Sequence, residues 1–350
     1  MSDVQVLRIQ SALIAPVGRR AGVFALLLTL TIIMMLLNLR IGSISYSLDQ
    51  LLGALFHPYE KSDIGYIVWN IRIPRTIAAA LGGAFLAVSG LLLQVYFRNP
   101  IVGPFILGIS SGATVMVSLV MLTSIGLGFS GYAPYLNTIA ACIGAYGVTA
   151  LVVAIAGRVR GGATLLIIGL MMGYLCGAFT SILTALAEKE SIKGFILWGM
   201  GSFSGFKWVE VWLMLVAGGL MLAGTYLLSK PLNALLLGED YAASMGVNIR
   251  HFRLLILLLA SSLAGLVTAM AGPVAFIGLA VPHMARLSLG TSDNRVLLPG
   301  AALAGALITS LCDLIARMAL SPVELPLSAI TAFFGAPIVI GLLFRKGMRS

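Results

Sequence analysis

The chain has 350 residues, 59% of them apolar and only 10% charged, against roughly a quarter charged in a water-soluble domain. A soluble enzyme or regulator is therefore excluded as the main body of the molecule. The formal net charge of +10 invites a nucleic-acid partner, but the basic residues are scattered through the joints between apolar runs, so none is implied. About ten such runs approach the ~20 residues that cross a bilayer. The expected class is an all-α polytopic membrane protein, with residues 1–350 forming a single transmembrane domain.

Span 1, about Ala21 to Leu39, shows no small-residue cleavage site after it and reads as a helix that stays, not a leader peptide. A mixed segment follows with Tyr46, Leu48, Leu51, Leu52 and Trp69, suited to the membrane interface and its lipid. Ile71-Arg72-Ile73-Pro74-Arg75-Thr76 then sets two arginines around a proline expected in the first turn of span 2. That span, roughly Thr76 to Phe97, is lined with Ala80, Gly83, Ala84, Ala87, Ser89 and Gly90, small residues that let helix backbones approach. Arg98-Asn99-Pro100-Ile101-Val102-Gly103-Pro104 makes a sharp turn. Span 3 is expected from about Phe105 to Thr123, span 4 from Leu136 to Ala156, and span 5 from Ala163 to Leu186 after a loop with Arg158, Arg160, Gly161 and Gly162.

Span 6, about Val209 to Leu228, leads to a polar interruption, Gly238-Glu239-Asp240-Tyr241-Ala242-Ala243-Ser244-Met245-Gly246. Gly238 can break the preceding run, the two acids favour a helix N-terminus, and Gly246 supplies a left-handed stop. This short helix cannot span a bilayer, so it is expected to lie across the membrane face; an ordinary interhelical loop is the alternative. Span 7, Phe252 to Met270, stops at Gly272-Pro273. The apolar stretch Val274 to Val281 is too short to cross alone and is expected to be sheltered by other helices. Spans 9 and 10 follow at about Val296 to Ala316 and Leu325 to Phe344. Gly103-Pro104 and Gly272-Pro273 break matching segments at opposite faces, the trace an inverted repeat would leave.

With both termini in the cytoplasm, most of the 22 basic residues fall on inner segments, in the direction of the positive-inside rule. Arg72, Arg75 and Arg317 lie on the outer side, against that bias. No nucleotide-binding loop, metalloprotease pair or serine elbow is present, so no catalytic residue is assigned. Cys142, Cys176 and Cys312 sit in apolar runs and suggest neither a disulfide framework nor a metal site. His57, His251 and His283 lie near membrane boundaries as interfacial polar residues, haem ligation being the alternative. Ion coupling usually shows as acids deep in spans; only Asp313 falls clearly within one, four residues before Arg317, where an i, i+4 pair is the plain reading. Energy for transport is therefore expected from another subunit, gripping the short helix.

A resemblance follows from these residues. Arg72 to Ile77, Phe97 to Pro104 followed by Leu107 to Ala113, Leu237-Gly238-Glu239 with Gly246, Gly272 to His283, and Glu324-Leu325-Pro326 with Gly335-Ala336-Pro337 are similar to the FecCD/BtuC family of permeases. Those are membrane subunits of type II ABC importers for iron-siderophore complexes, haem and vitamin B12. The resemblance implies a BtuC-like fold of about ten transmembrane helices, a homodimer around one pathway, two ABC ATPase subunits using ATP and Mg below, and an extracytoplasmic solute-binding protein above. No cofactor is implied for this chain, and the setting implied is the cytoplasmic (inner) membrane of a prokaryote.

Carried over by position, Arg72, Arg75 and Arg317 match arginines that receive acidic residues of the binding protein, with lipid-headgroup anchoring as the alternative. Residues 238–246 match the helix that couples to the ATPase. Asn99 and Ile101 match gate positions, while Gly161 and Gly162 stand where the B12 permease has small hydroxyl residues. An iron chelate, ferric siderophore or haem, is the expected cargo; cobalamin, or an ion-coupled carrier working alone, are the alternatives.

Overall fold

The computed structural model describes residues 17–347 apart from 43, 45, 57–62, 124–132, 157 and 159–161. Helices follow one another as α1 (Val17–Arg40), α2 (Leu48–Phe56), α3 (Asp63–Phe97), α4 (Ile109–Leu122), α5 (Ala133–Ala156), α6 (Gly162–Leu186) and α7 (Lys189–Gly199). Then come α8 (Trp208–Leu227), α9 (Ser229–Leu237), α10 (Glu239–Ser244), α11 (Ile249–Ala271), α12 (Ile277–Leu289), α13 (Asn294–Met318) and α14 (Leu327–Gly347). Among the described residues, seven helices are long and apolar enough to cross a membrane. The shorter apolar helices α4 and α14 stand at the expected spans 3 and 10, and α12 continues the short stretch expected as span 8.

Burial sorts these helices into a centre and a rim. In the most apolar stretch of α3, 83% of residues are buried inside the chain, against 17% in α1 and in α6. The small residues of α3 explain its central place. A Cβ on Gly83 would meet the carbonyl oxygen of Gly305 in α13 at 2.2 Å, and one on Gly90 would meet that of Gly278 in α12 at 1.7 Å. The backbones touch there, which is how helices gain dispersion energy where lipid removes the hydrophobic drive.

Pro74 stands in the first turn of the α-helical stretch Ile73–Phe97, as expected, but a wide π-helical turn at Val68–Arg72 joins that stretch to a helical start at Asp63. That turn makes room for a ring which clashes with the preceding turn of a regular helix. Three expectations are corrected. Span 3 is not continuous from Phe105, since a 3-10 turn at Pro104–Leu107 and a left-handed Gly108 precede α4. Its 14 residues cover about 21 Å, short of the ~30 Å hydrocarbon core. The short apolar stretch after Pro273 becomes helical only at Ile277 but continues to Leu289, through Pro282. Finally, Ser229–Leu237 forms a helix of its own, α9, which the apolar run of span 6 had concealed.

Candidate functional site

The short helix stands at one end of the bundle. Gly238 takes φ +133° and breaks α9 from α10, and Gly246 takes φ +85° to close α10, conformations a side chain strains to adopt. The Gly246 amide donates to the Ala243 carbonyl, and the Val247 amide to that of Ala242. Ala242 is fully buried, while Asp240, Tyr241, Ala243, Ser244 and Met245 are exposed. One side of α10 is therefore an anchor and the other a free face. Glu239 is ion-paired with Arg253 of α11, whose guanidinium lies 5.9 Å from the centre of the Tyr96 ring near the end of α3.

At the opposite end, the three arginines are engaged within the chain. Arg75 Nε donates to both carboxylate oxygens of Asp313, at 3.2 and 3.1 Å, and Nη2 reaches Oδ1 at 3.0 Å. Its other edge holds Glu324, with Nη1 to Oε1 at 2.7 Å and Nη2 to Oε2 at 3.2 Å. This corrects the expected Asp313–Arg317 pair: a buried carboxylate requires a close partner, and Arg75 from α3 supplies a forked one.

Arg72 donates to the carbonyls of Leu39, Arg40 and Ile44 and lies 4.5 Å from the centre of the Tyr46 ring. It thereby satisfies the C-terminal carbonyls of α1, groups that no helix can bond internally. Arg317 Nη2 donates to the Asn38 carbonyl at 3.1 Å and to Asn38 Oδ1 at 2.8 Å. Arg72 and Arg75 are buried, and Arg317 is half-buried.

Of the gate positions, Asn99 Oδ1 accepts the Ile101 amide at 3.1 Å, in a turn that starts at a left-handed Arg98. Ile101 is exposed. Gly162 opens α6, whereas Gly161 lies outside the described residues. His251 is exposed near the start of α11 and His283 is half-buried in α12; His57 is also outside the described residues. Among the described residues, no group of three His, Cys, Asp or Glu side chains could hold a metal ion. An apolar cavity of about 160 Å³ lies among α12, α13 and α14, lined by Ile277, Met284, Leu311, Phe334 and Ile338.

Sequence reasoning did not foresee a third polar cluster, Asn233, Asp293 and Asn294, which ties α9 to the start of α13. An asparagine inside the apolar run Leu232 to Leu237 is the signal that marks it.

The FecCD transport family model matches residues 30–345. A hemin transport system permease, HmuU of Yersinia pestis, is 36% identical over 325 residues, covering 91% of this chain and 94% of that relative. A vitamin B12 import system permease, BtuC of Salmonella paratyphi A, is 40% identical over 280 residues, covering 80% and 84%. A solved structure described as an inward-facing conformation of a metal-chelate type ABC transporter superposes with a TM-score of 0.81 at 31% identity, covering 93% of this chain and 99% of that one.

Proposed function

The chain belongs to the FecCD transport family, and on that premise we propose how it works. It is a multi-span permease of a metal-chelate, haem or vitamin B12 type ABC importer. Partners of such a permease are an ABC ATPase and a solute-binding protein. In our reading two ATPase subunits hydrolyse ATP with Mg and grip residues 238–246, while this chain hydrolyses nothing and holds no cofactor. The binding protein delivers an iron chelate, ferric siderophore or haem, at the end bearing Arg72, Arg75 and Arg317; cobalamin is the alternative cargo. Two copies of the chain enclose the pathway in the cytoplasmic membrane of a prokaryote, with both termini in the cytoplasm. Asn99 and Ile101, with Gly161 and Gly162, act as gate positions.

The observation that carries this reading is α10, fastened by Ala242 and presenting Asp240, Tyr241 and Met245 outward between two positive-φ glycines. Because Asp240 is exposed and Glu239 is already paired with Arg253, Asp240→Lys changes the free face with little effect on the fold. We expect uptake by the reconstituted importer to fall by about tenfold or more, the scale of a lost charged contact at an interface. The variant permease should remain in the membrane at normal abundance. Undiminished uptake would overturn the assignment of α10.

A further inference from the structure

Among the helices that meet the short-helix end, α13 has an unusual start. Its first residue, Asn294, is fully buried, and its backbone amide donates to Asn233 Oδ1 at 2.8 Å. The Asn294 side-chain amide donates to the same oxygen at 2.9 Å, and Asn233 Nδ2 donates to Asp293 Oδ1 at 2.6 Å. Asp293 Oδ1 in turn accepts the Arg295 amide at 2.9 Å, and the Asp293 amide donates to Thr291 Oγ1 at 3.1 Å. A helix N-terminus is ordinarily capped by its own preceding residues. Here part of the cap is supplied by α9, more than 50 residues earlier in the chain.

The clasp joins two segments that matter at opposite ends. Only Gly238 separates α9 from α10, and the Gly238 amide donates to the Leu235 carbonyl at 3.2 Å. Leu232 and Leu235 seat the remainder of α9 in the core. From the clasp, the 25 residues of α13 run about 37 Å to the far end, where Asp313 holds Arg75 and Arg317 holds Asn38. Backbone contact at Gly83 and Gly305 keeps α13 against α3 on the way. Apolar helix contacts can slide past one another at small cost, whereas directional hydrogen bonds to a buried amide resist displacement.

We infer that Asn233 is a positioning residue that transmits displacement of α10 into α13, and through it to the arginine end. This rests on α10 being the contact with the ATPase. The two ideas fail differently. An error in the functional reading leaves uptake indifferent to Asp240→Lys, and the present inference then falls with it.

The test exchanges the two side chains. Asn233→Asp alone sets two carboxylates against each other across the 2.6 Å contact. Asn233→Asp combined with Asp293→Asn reverses donor and acceptor, restoring the bond between 233 and 293 and keeping both bonds from Asn294, at the loss of the Arg295 amide's bond to the atom that now donates. The full importer, permease with its ATPase and binding protein, is reconstituted in proteoliposomes with haemin, a ferric hydroxamate siderophore and cyanocobalamin each offered as cargo. Cargo moved per ATP hydrolysed is expected to fall about fivefold or more in Asn233→Asp, within the usual range of coupling energies, and to return in the exchanged pair. Should the single variant fail to assemble, Asn233→Ser, which keeps an oxygen acceptor and removes the amide donor, is expected to lower the same ratio in assembled complex. An unchanged ratio in an assembled single variant overturns the inference. So does a parallel fall in uptake, hydrolysis and assembled complex, rescued together by the exchange, since that describes a staple and not a transmitter.

Discussion

The two ends of α3 and α13 are fastened by opposite means. At the arginine end the buried Arg75 holds the buried Asp313 and the partly exposed Glu324, and Arg72 is given to backbone carbonyls and the Tyr46 ring. At the short-helix end there is no buried ion pair among the described residues: the Asn233 clasp joins amides to the one carboxylate of Asp293, and the side chains of the Glu239–Arg253 pair are about 40% accessible. Charges removed from water resist separation because each would be left unpaired in a medium that solvates it poorly. An exposed pair is replaced readily by water. The difference marks the arginine end as the stiffer anchorage, and the Glu239–Arg253 pair as the fastening that water replaces most readily.

The largest effect is expected from Arg75→Ala, which leaves Asp313 buried without a partner. Breaking a buried pair from one side costs about 3–5 kcal/mol, and thermal unfolding of the detergent-solubilised protein should show it as a large loss of melting temperature. If Arg75→Ala instead melted normally and lost only binding-protein docking, the contrast between the ends would collapse. Next comes Gly90→Val, whose Cβ would fall 1.7 Å from the Gly278 carbonyl oxygen. Overpacking a side-chain core costs about 1–3 kcal/mol, and since the atoms met here are backbone a loss at or above that range is expected; a smaller loss in the same unfolding measurement would show that the α3–α12 contact can open. The smallest effect belongs to Glu239→Gln, because an accessible ion pair contributes below about 1 kcal/mol. Its melting temperature should be nearly unchanged, and a drop approaching that of Arg75→Ala would refute the distinction.

Much of this arrangement is legible in the residues themselves. Long apolar runs mark the spans because a bilayer demands about 20 apolar residues from any crossing helix. Gly238 and Gly246, flanking two acids, locate α10 for reasons local to the backbone. Gly272-Pro273 locates the break before α12 in the same way. What stays hidden depends on partners distant in the chain. Asp313 lies one helical turn from Arg317, yet its cation comes from residue 75, because only the packing of α3 on α13 brings that guanidinium to it. Pro74 marks the first turn of the α-helical stretch Ile73–Phe97, but its residues do not foretell the wide turn that joins it to Asp63. The separate helix α9 is masked because its leucines continue the apolar run of α8, and Asn233 gains its meaning only once Asp293 and Asn294 are beside it.

The moorings of α1 bear on how the protein is made. This helix is largely uncovered along its length, and its carbonyl end is secured by Arg72 while Asn38 donates to the Ser310 carbonyl and accepts from Arg317. Ser310 and Arg317 follow Asn38 by 272 and 279 residues. The helix α1 therefore goes without those bonds while most of the helices after it are being made, and a nascent chain cut short before residue 310 lacks what Ser310 and Arg317 supply to it.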